Sequence, residues 1–267
     1  MKRDVSAQVE VAITAPTTLE FQIAVARQTN LDLNESLVFE LDGWAVTPWE
    51  ILGPHGTRIH KFSVGPGTLR AHYRASVLGT AIPEPSSDYD RALYLRPSRF
   101  AESDKLLGFA ATEFGSGTPD AELAVQVSQW VGRRIRYVAG SSDPIDGAVE
   151  TLLSGAGVCR DFAHLVVALL RAVKIPARVV SVYAPGCSPM DFHAVAEAYI
   201  DGVWRALDAT GLAPRSTLVR IATGRDASDV AFLDNHGGEI IVNSLLVTAL
   251  VDGYLPLDDT VTPTSVC

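Results

Sequence analysis

The stretch GAGVCRDFAHLVVALLRAV, residues 155–173, places a cysteine at the start of an apolar helix. After Cys159 the apolar side chains recur at steps of three and four residues, the spacing of a buried helical face: Phe162, Leu165, Val166, Leu169, Leu170 and Val173. The run Gly155-Ala156-Gly157 before the cysteine favours a sharp turn over regular helix. The sequence therefore predicts a helix with a buried face that carries Cys159 in or near its first turn.

The predicted position of Cys159 suits a nucleophile. The first turn of a helix has unpaired backbone N–H groups and the positive end of the helix dipole, and both favour an anion. A thiol in such a place is shifted toward the reactive thiolate. The alternative is a small, buried and unreactive cysteine, which is what most free cysteines are. The helix by itself leaves both interpretations open.

A histidine–aspartate pair is predicted from turn chemistry further along the chain. Two runs of strand-forming residues flank Asp201-Gly202, which is a strong signal for a hairpin with a two-residue turn. In such a hairpin, opposing residues have numbers that sum to 403. Asp208 then lies on the same face as His193, in the diagonal position, where a carboxylate can reach an imidazole.

These three residue types together can perform nucleophilic catalysis. The imidazole of His193 can take the proton of the Cys159 thiol and return it to a leaving group, while the carboxylate of Asp208 orients the ring. Backbone N–H groups at the helix start, including that of Cys159, can form part of an oxyanion hole. The alternative is a core histidine bonded to a carboxylate, beside an inert cysteine.

The residues around this set resemble the transglutaminase-like superfamily of cysteine-dependent acyltransferases and hydrolases, which have a papain-like core. Three blocks look like the signature blocks of that family: GAGVCRDFAHL (155–165), DFHAVAEAYIDGVW (191–204) and RALDAT (205–210). Other segments are similar to bacterial members: IRY (135–137), ALLRAVKIPARVVSVY (168–183), GRDASDVAF (224–232) and, with the opening strands, YLRPSRF (94–100).

The resemblance implies Cys159 as the nucleophile, His193 as the base and acid, and Asp208 as the orienting carboxylate. It does not assign a second oxyanion donor, for which Trp130 and Tyr137 are candidates. The sequence departs from the family after the His-Ala pair, where many members have a tryptophan and this chain has a valine, Val195.

Composition excludes several other classes of protein. The chain has 267 residues, of which 47% are hydrophobic, as is typical of a globular protein. Its net charge of −9 argues against nucleic acid or an anionic membrane as the main partner. No signal peptide or run of about 18 apolar residues is readable. The three cysteines, Cys159, Cys187 and Cys267, do not form a disulfide framework, so a cytoplasmic location is expected.

The chain reads as two regions of an α+β protein. Residues 1–95 form a β-rich, sandwich-like domain, because short alternating strands are separated by glycine and proline turns. Residues 96–267 form the papain-like catalytic core with a C-terminal β segment, which includes a strand near 239–247. Residues 81–100, rich in proline, serine and charge, are predicted to be a linker with an extended segment.

Four other reactive side chains are interpreted as structural or without function: Asp161, His164, Cys187 and Glu197. No Cys-x-x-Cys or His-Glu-x-x-His spacing is present, and neither is a phosphate-binding GxxxxGK[ST] loop. We therefore expect no metal and no cofactor.

The sequence predicts an enzyme that acts on amide or peptide bonds of a protein or peptide through a Cys159–His193–Asp208 triad and a thioester. The acyl group then passes to an amine or to water, and the sequence does not decide between them. The alternative is a non-catalytic module that binds peptides with the same fold. Oligomeric state is not predicted.

Overall fold

The structure is a computed structural model that describes residues 1–83 and 85–266. Cys267 lies outside the described residues. The N-terminal region contains seven strands: β1 (Lys2–Ile13), β2 (Thr17–Phe21), β3 (Asp32–Leu41), β4 (Trp44–Val46), β5 (Trp49–Leu52), β6 (Arg58–Val64) and β7 (Gly67–Leu78). None of the described helices is long and apolar enough to cross a membrane.

The central region contains both helices and strands, which are, in chain order, α1 (Asp88–Leu93), α2 (Leu107–Phe114), α3 (Asp120–Arg134), β8 (Arg136–Tyr137), α4 (Ala148–Ser154), β9 (Ala156–Gly157), α5 (Cys159–Ala172), β10 (Ala177–Tyr183), β11 (Phe192–Ile200), β12 (Val203–Leu207) and β13 (Val219–Gly224). The last described elements are α6 (Ala227–Val230), β14 (Leu233–His236) and β15 (Ile240–Val251).

Two antiparallel sheets build the N-terminal sandwich. One has five strands in the order β15-β1-β7-β3-β4, and the other has four in the order β14-β2-β6-β5. Alternate side chains of β1 are buried, namely Val5, Ala7, Val9, Val11 and Ile13, as expected of a strand with one face on the core. The two sheets thus enclose the alternating apolar residues that predicted strands in this region.

The C-terminal strands β14 and β15 belong to these sheets. β14 pairs with β2, and β15 pairs with β1 along almost its whole length. This arrangement differs from the sequence-based assignment of the C-terminal β segment to the catalytic core. Strand pairing between the two ends of the chain has no local sequence signal. The division into domains at residue 95 stays a prediction.

Helix α5 lies at the centre of the second half and packs on a four-stranded antiparallel sheet in the order β12-β11-β10-β13. Nearly all of its side chains after Arg160 are buried, so the helix is surrounded rather than half-exposed. One apolar cluster includes residues of α5, of this sheet and of the sandwich. The start of α5 is therefore held rigidly against the sheet that carries His193.

The predicted extended linker is wrong in part, because α1 lies within it. Ser87 caps this helix: the Asp90 N–H donates to the Ser87 hydroxyl at 3.0 Å, and the Ser87 N–H donates to the Asp90 carboxylate at 3.2 Å. Tyr94 follows, is buried, and meets Trp204 edge-on with ring centroids 5.4 Å apart. The Ser-x-x-Asp capping signal is readable in the sequence and outweighs the proline-rich composition before it.

Candidate active site

The turn before α5 is built so that Cys159 is the first residue of the helix. Asp161 lies in the first turn, and its carboxylate accepts the Val158 N–H at 2.8 Å. A side chain on Gly157 would place its Cβ only 2.7 Å from the Asp161 Cβ, so only glycine fits there. The thiol of Cys159 is half-buried, with Sγ 4.0 Å from the carbonyl oxygen of Phe192. Asp161 is thus a structural residue that fixes the entry of the helix, as the sequence indicated.

A short parallel ladder brings Tyr137 beside Cys159. Tyr137 on β8 pairs with Gly157 on β9, and the Val138 N–H donates to the Gly157 carbonyl at 3.0 Å. The backbone N–H of Cys159 interacts with the Tyr137 hydroxyl. Burial, with a contribution from the nearby Cys159, raises the pKa of Tyr137 to about 12. The phenol therefore keeps its proton at neutral pH and can donate it in a hydrogen bond.

The other candidate for the second oxyanion donor, Trp130, is differently engaged. Its indole N–H donates to the Glu113 carboxylate at 2.7 Å, and its ring packs edge-on against Phe109 and Phe114. The indole N–H of Trp130 is therefore already paired with Glu113, whereas the Tyr137 hydroxyl lies beside Cys159.

The hairpin has the predicted register. Asp201 and Gly202 both have positive φ, 51° and 81°, as a tight two-residue turn between twisted strands requires. Pairing runs from Ile200 opposite Val203 to Ala196 opposite Leu207, so that opposing numbers sum to 403. Asp208 follows directly after the last paired residue of β12.

The structure brings His193 and Asp208 together. The Nε2 atom of His193 lies 2.8 Å from Oδ2 of Asp208, and both side chains are buried. The other carboxylate oxygen accepts both the backbone N–H and the hydroxyl of Thr210, at 2.9 and 2.6 Å. Both oxygens of Asp208 thus have donors, and the carboxylate is fixed in one orientation.

Two opposing effects determine the charge state of the His193–Asp208 pair: burial disfavours both charged forms, and the mutual attraction of the two charges favours them. Burial disfavours the charged form of Asp208, but the His193 charge, its hydrogen bond and those from Thr210 outweigh burial and lower the pKa of Asp208. Burial likewise disfavours the imidazolium, but Asp208 and interactions with the Cys159 thiol raise the pKa of His193 well above its ordinary value. Since Nε2 is bound to Asp208, Nδ1 is the ring nitrogen available to the thiol.

The thiol of Cys159 should react with iodoacetamide at least about ten times faster than that of Cys187. Cys159 has a helix N-terminus and a cationic imidazole beside it, whereas burial raises the pKa of the Cys187 thiol. Peptide mapping after brief labelling across a pH series measures both rates, and that of Cys267. Equal rates at all three cysteines, with an ordinary thiol pH profile, would contradict an activated Cys159.

His164 holds α5 against the start of α6. Its Nε2 accepts the Ala227 N–H at 3.0 Å, and its ring stacks on Phe100 with centroids 5.4 Å apart. Burial lowers the pKa of His164 to about 3, so the ring is neutral at any ordinary pH. Within the described part of the chain, no group of three His, Cys, Asp or Glu side chains is placed to hold a metal ion.

Glu197 is bound on both sides by arginines. Its carboxylate accepts Nε of Arg178 at 2.8 Å and Nη2 of Arg220 at 2.6 Å, and all three side chains are buried. This ion triplet ties β11 to the two strands β10 and β13. Glu197 is therefore part of the sheet's internal structure, in agreement with the sequence-based interpretation.

Val195, where the sequence departs from the family, is also internal. It is buried in a second apolar cluster that contains Val180, Val182, Leu218 and Cys187. Val195 is two residues from His193 on β11 and therefore on the same face of the sheet, so the valine in place of tryptophan changes the packing beside His193.

Comparison with known proteins identifies the relatives of this chain. Residues 109–209 match the family model described as the transglutaminase-like superfamily. A protein of known structure from Cytophaga hutchinsonii, named for an inferred cysteine protease activity, is 32% identical with a TM-score of 0.87. That alignment covers 97% of this chain and 94% of that chain.

Two curated relatives come from mycobacteria and are uncharacterized. A Mycobacterium leprae protein is 24% identical over 149 residues, which are 51% of this chain and 52% of that relative. A protein of Mycobacterium tuberculosis strain H37Rv is 28% identical over 204 residues, which are 70% of this chain and 56% of that relative. The chain thus spans about half the length of these curated relatives.

Proposed function

The chain belongs to the transglutaminase-like superfamily, and we propose that it is a cysteine enzyme acting on amide or peptide bonds of proteins or peptides. The observation that carries the proposal is the buried His193–Asp208 pair, 2.8 Å between Nε2 and Oδ2, with its imidazole beside the thiol at the start of α5. The Cytophaga hutchinsonii relative, named for cysteine protease activity, supports the same chemistry.

In the proposed reaction the thiolate of Cys159 attacks the amide carbonyl carbon and forms a C–S bond. The C–N bond then breaks as His193 gives its proton from Nδ1 to the departing nitrogen, which leaves as ammonia or an amine. The resulting thioester is attacked by water or by a second amine, whose proton passes to His193. The C–S bond then breaks, and the acid or the new amide leaves. The thiolate of Cys159 and the imidazolium of His193 are thereby restored.

Two donors are available to the oxyanion that forms in this attack. The first is the backbone N–H of Cys159, and the second is the Tyr137 hydroxyl that it contacts. The Cys159 N–H is directed at the Tyr137 oxygen, and in the proposed reaction the oxyanion takes the place of that oxygen as the acceptor. Both donors are fixed before substrate binds, because β8 and β9 are paired and the helix start is rigid.

Tyr137→Phe should lower the rate of acyl transfer by about 100-fold to 1,000-fold, because one oxyanion donor is lost. Its alkylation by iodoacetamide should not change, since that reaction at sulfur forms no oxyanion. The two rates measured on the same variant separate an oxyanion role from a general disturbance of Cys159. A parallel loss of both rates would mean that Tyr137 only positions the thiol.

Asp208→Asn should lower turnover by about 100-fold to 10,000-fold, because an amide neither stabilises the imidazolium nor enforces its orientation. The rate at pH values above neutrality should suffer most, since without the carboxylate the imidazole loses its proton at lower pH. A pH–rate profile, with thermal unfolding to check the fold, measures this. Turnover close to that of the unsubstituted protein would remove Asp208 from the triad.

Incubation with glutamine-containing peptides, with and without a primary amine, tests the proposed function. Mass spectrometry distinguishes peptide cleavage, deamidation and amine incorporation, and ammonia release gives the rate. A second candidate, a non-catalytic module that binds peptides on the same fold, predicts binding without turnover and a thiol of ordinary reactivity. The intact thiol, imidazole and carboxylate favour the enzyme, because binding alone requires none of them.

A further inference from the structure

Strand β15 ends the five-stranded sheet and has one free edge. It is 12 residues long, reads IIVNSLLVTALV, and contains no charged residue, no glycine and no proline. On one side it pairs with β1, from Ile13 opposite Ile240 to Arg3 opposite Val251. Within residues 1–83 and 85–266 no strand pairs with its other side. Backbone N–H and C=O groups on that side are free to pair with another strand.

The free edge of β15 is apolar as well as unpaired. Leu246 and Leu250, which point away from the core, are 56% and 54% exposed, and Ile241 is 60% exposed. Sheet edges in monomeric proteins are commonly short, charged or covered, because an exposed apolar edge invites pairing with another chain. A long edge that lacks all three protections is therefore an interaction surface.

Other edges of this molecule have such protection. The outer edge of β12 is covered by the C-terminal segment, since the Ala206 N–H donates to the Thr264 carbonyl at 2.7 Å. At the opposite end of the five-stranded sheet, β4 has three residues and pairs only with Phe39–Leu41 of β3, and the rest of the β3 edge carries the charges of Asp32 and Glu35. In the four-stranded sheet of the sandwich, β14-β2-β6-β5, both edge strands carry charge, with Asp234 on β14 and Glu50 on β5. β15 differs from all of these.

We propose that two copies of this chain pair antiparallel through their β15 edges about a two-fold axis, joining the two five-stranded sheets into one. A second copy is the occupant that the chemistry favours, because the strand is uncharged and can lie opposite itself without like-charge repulsion. Each copy has a net charge of −9, so this uncharged edge is where two copies meet with least repulsion.

The register of this pairing follows from symmetry. In an antiparallel pair related by a two-fold axis, one residue lies opposite its own copy, and opposing residues share a face. The ladder with β1 shifts register at Asn243, so the regular part of β15 runs from Ser244 to Val251. Its centre is near Thr248. With Thr248 opposite itself, Leu246 of each copy lies against Leu250 of the other.

Sedimentation equilibrium of the full chain tests the proposal. We expect a dimer, and the double variant Leu246→Lys/Leu250→Lys should raise the dimer dissociation constant at least about 100-fold, because lysines then face lysines. Val38→Lys is the matched control: Val38 is an exposed residue of the same sheet, on β3, and its replacement should leave the dimer intact. Circular dichroism verifies that each variant is folded.

The register has its own test. Thr248→Cys should form an intermolecular disulfide under mild oxidation, whereas Val38→Cys should not, and the unsubstituted chain gives the background from its own cysteines. A protein that is monomeric at every concentration overturns the proposal. An unchanged dimer dissociation constant in the Leu246→Lys/Leu250→Lys variant overturns the proposal as well, since the contact between the two copies would then lie on another face. Neither outcome bears on the proposed chemistry of Cys159, which lies at the start of α5, a helix that packs on a different sheet from the one that contains β15.

Discussion

Cys159→Ser should reduce acyl transfer from amide substrates at least about 1,000-fold while the protein stays folded. A serine hydroxyl is a far weaker acid than a thiol, so the imidazole of His193 can no longer hold it as an anion before attack. In enzymes whose nucleophile and base act as a unit, loss of either one removes most of the rate. Steady-state turnover of a peptide amide, compared at equal protein concentration, measures the effect.

Cys187→Ser is the matched control for this variant. Cys187 is the other described cysteine, is buried beside the same site, and its Sγ contacts the Pro189 carbonyl oxygen at 3.5 Å. Its replacement should leave turnover within a few fold of the unsubstituted protein, because no step of the proposed reaction uses it. Equal losses in the two variants would show that the site responds to packing, and a fully active Cys159→Ser would remove Cys159 from the reaction.

Chelation separates the cysteine mechanism from metal-dependent hydrolysis. Activity should survive EDTA, because the proposed steps use only a thiol, an imidazole and backbone or phenol donors. Loss of activity on chelation, with recovery on adding zinc, would instead favour a metalloenzyme. Unchanged circular dichroism across the EDTA series shows that any loss is not unfolding.

The parts of the site that depend on local chemistry were predictable from sequence. Asp201-Gly202 specifies a two-residue turn, the turn specifies the register, and the register brings Asp208 to His193. The start of α5 was predictable for the same reason, since the glycines before Cys159 and the apolar period after it are neighbours in sequence. In both cases the information lies within a few residues of the feature.

Features that depend on distant pairing were not predictable. Tyr137 reaches Cys159 only because β8 pairs with β9, a two-residue parallel ladder that no periodicity can indicate. The place of β15 beside β1 joins the two ends of the chain, and its alternation predicts a strand without naming a neighbour. Such contacts are decided by the packing of the whole molecule.

Glu197 lies between these cases. Its place on β11, on the same face as His193, followed from the hairpin, but its partners did not. Arg178 is directly opposite Glu197 on β10, whereas Arg220 comes from β13, on the far side of β10. Three strands must be in register before the triplet exists. The carboxylate is therefore a sensitive measure of whether this sheet is correctly formed.

Glu197→Gln should lower the free energy of unfolding by about 3–5 kcal/mol, the usual cost of leaving buried charges without their partner. The two guanidiniums of Arg178 and Arg220 would remain buried and face each other across a neutral amide. Urea denaturation measures the change. The control is Glu10→Gln, which breaks the exposed Arg70–Glu10 pair, 2.9 Å apart, and should cost no more than about 1 kcal/mol.

The pH dependence of unfolding tests the same triplet without a substitution. Burial raises the pKa of Glu197, but the charges and hydrogen bonds of Arg178 and Arg220 outweigh it and lower that pKa to about 2. A carboxyl whose pKa is lower in the folded state stabilises the fold above its unfolded pKa, about 4.3, and this contribution is lost as the pH falls toward 2. The free-energy difference between the unsubstituted protein and Glu197→Gln should therefore shrink from pH 4.5 to pH 2. A difference that is constant over this range, or no larger than that of Glu10→Gln at neutral pH, would show that the ion triplet does not stabilise the sheet.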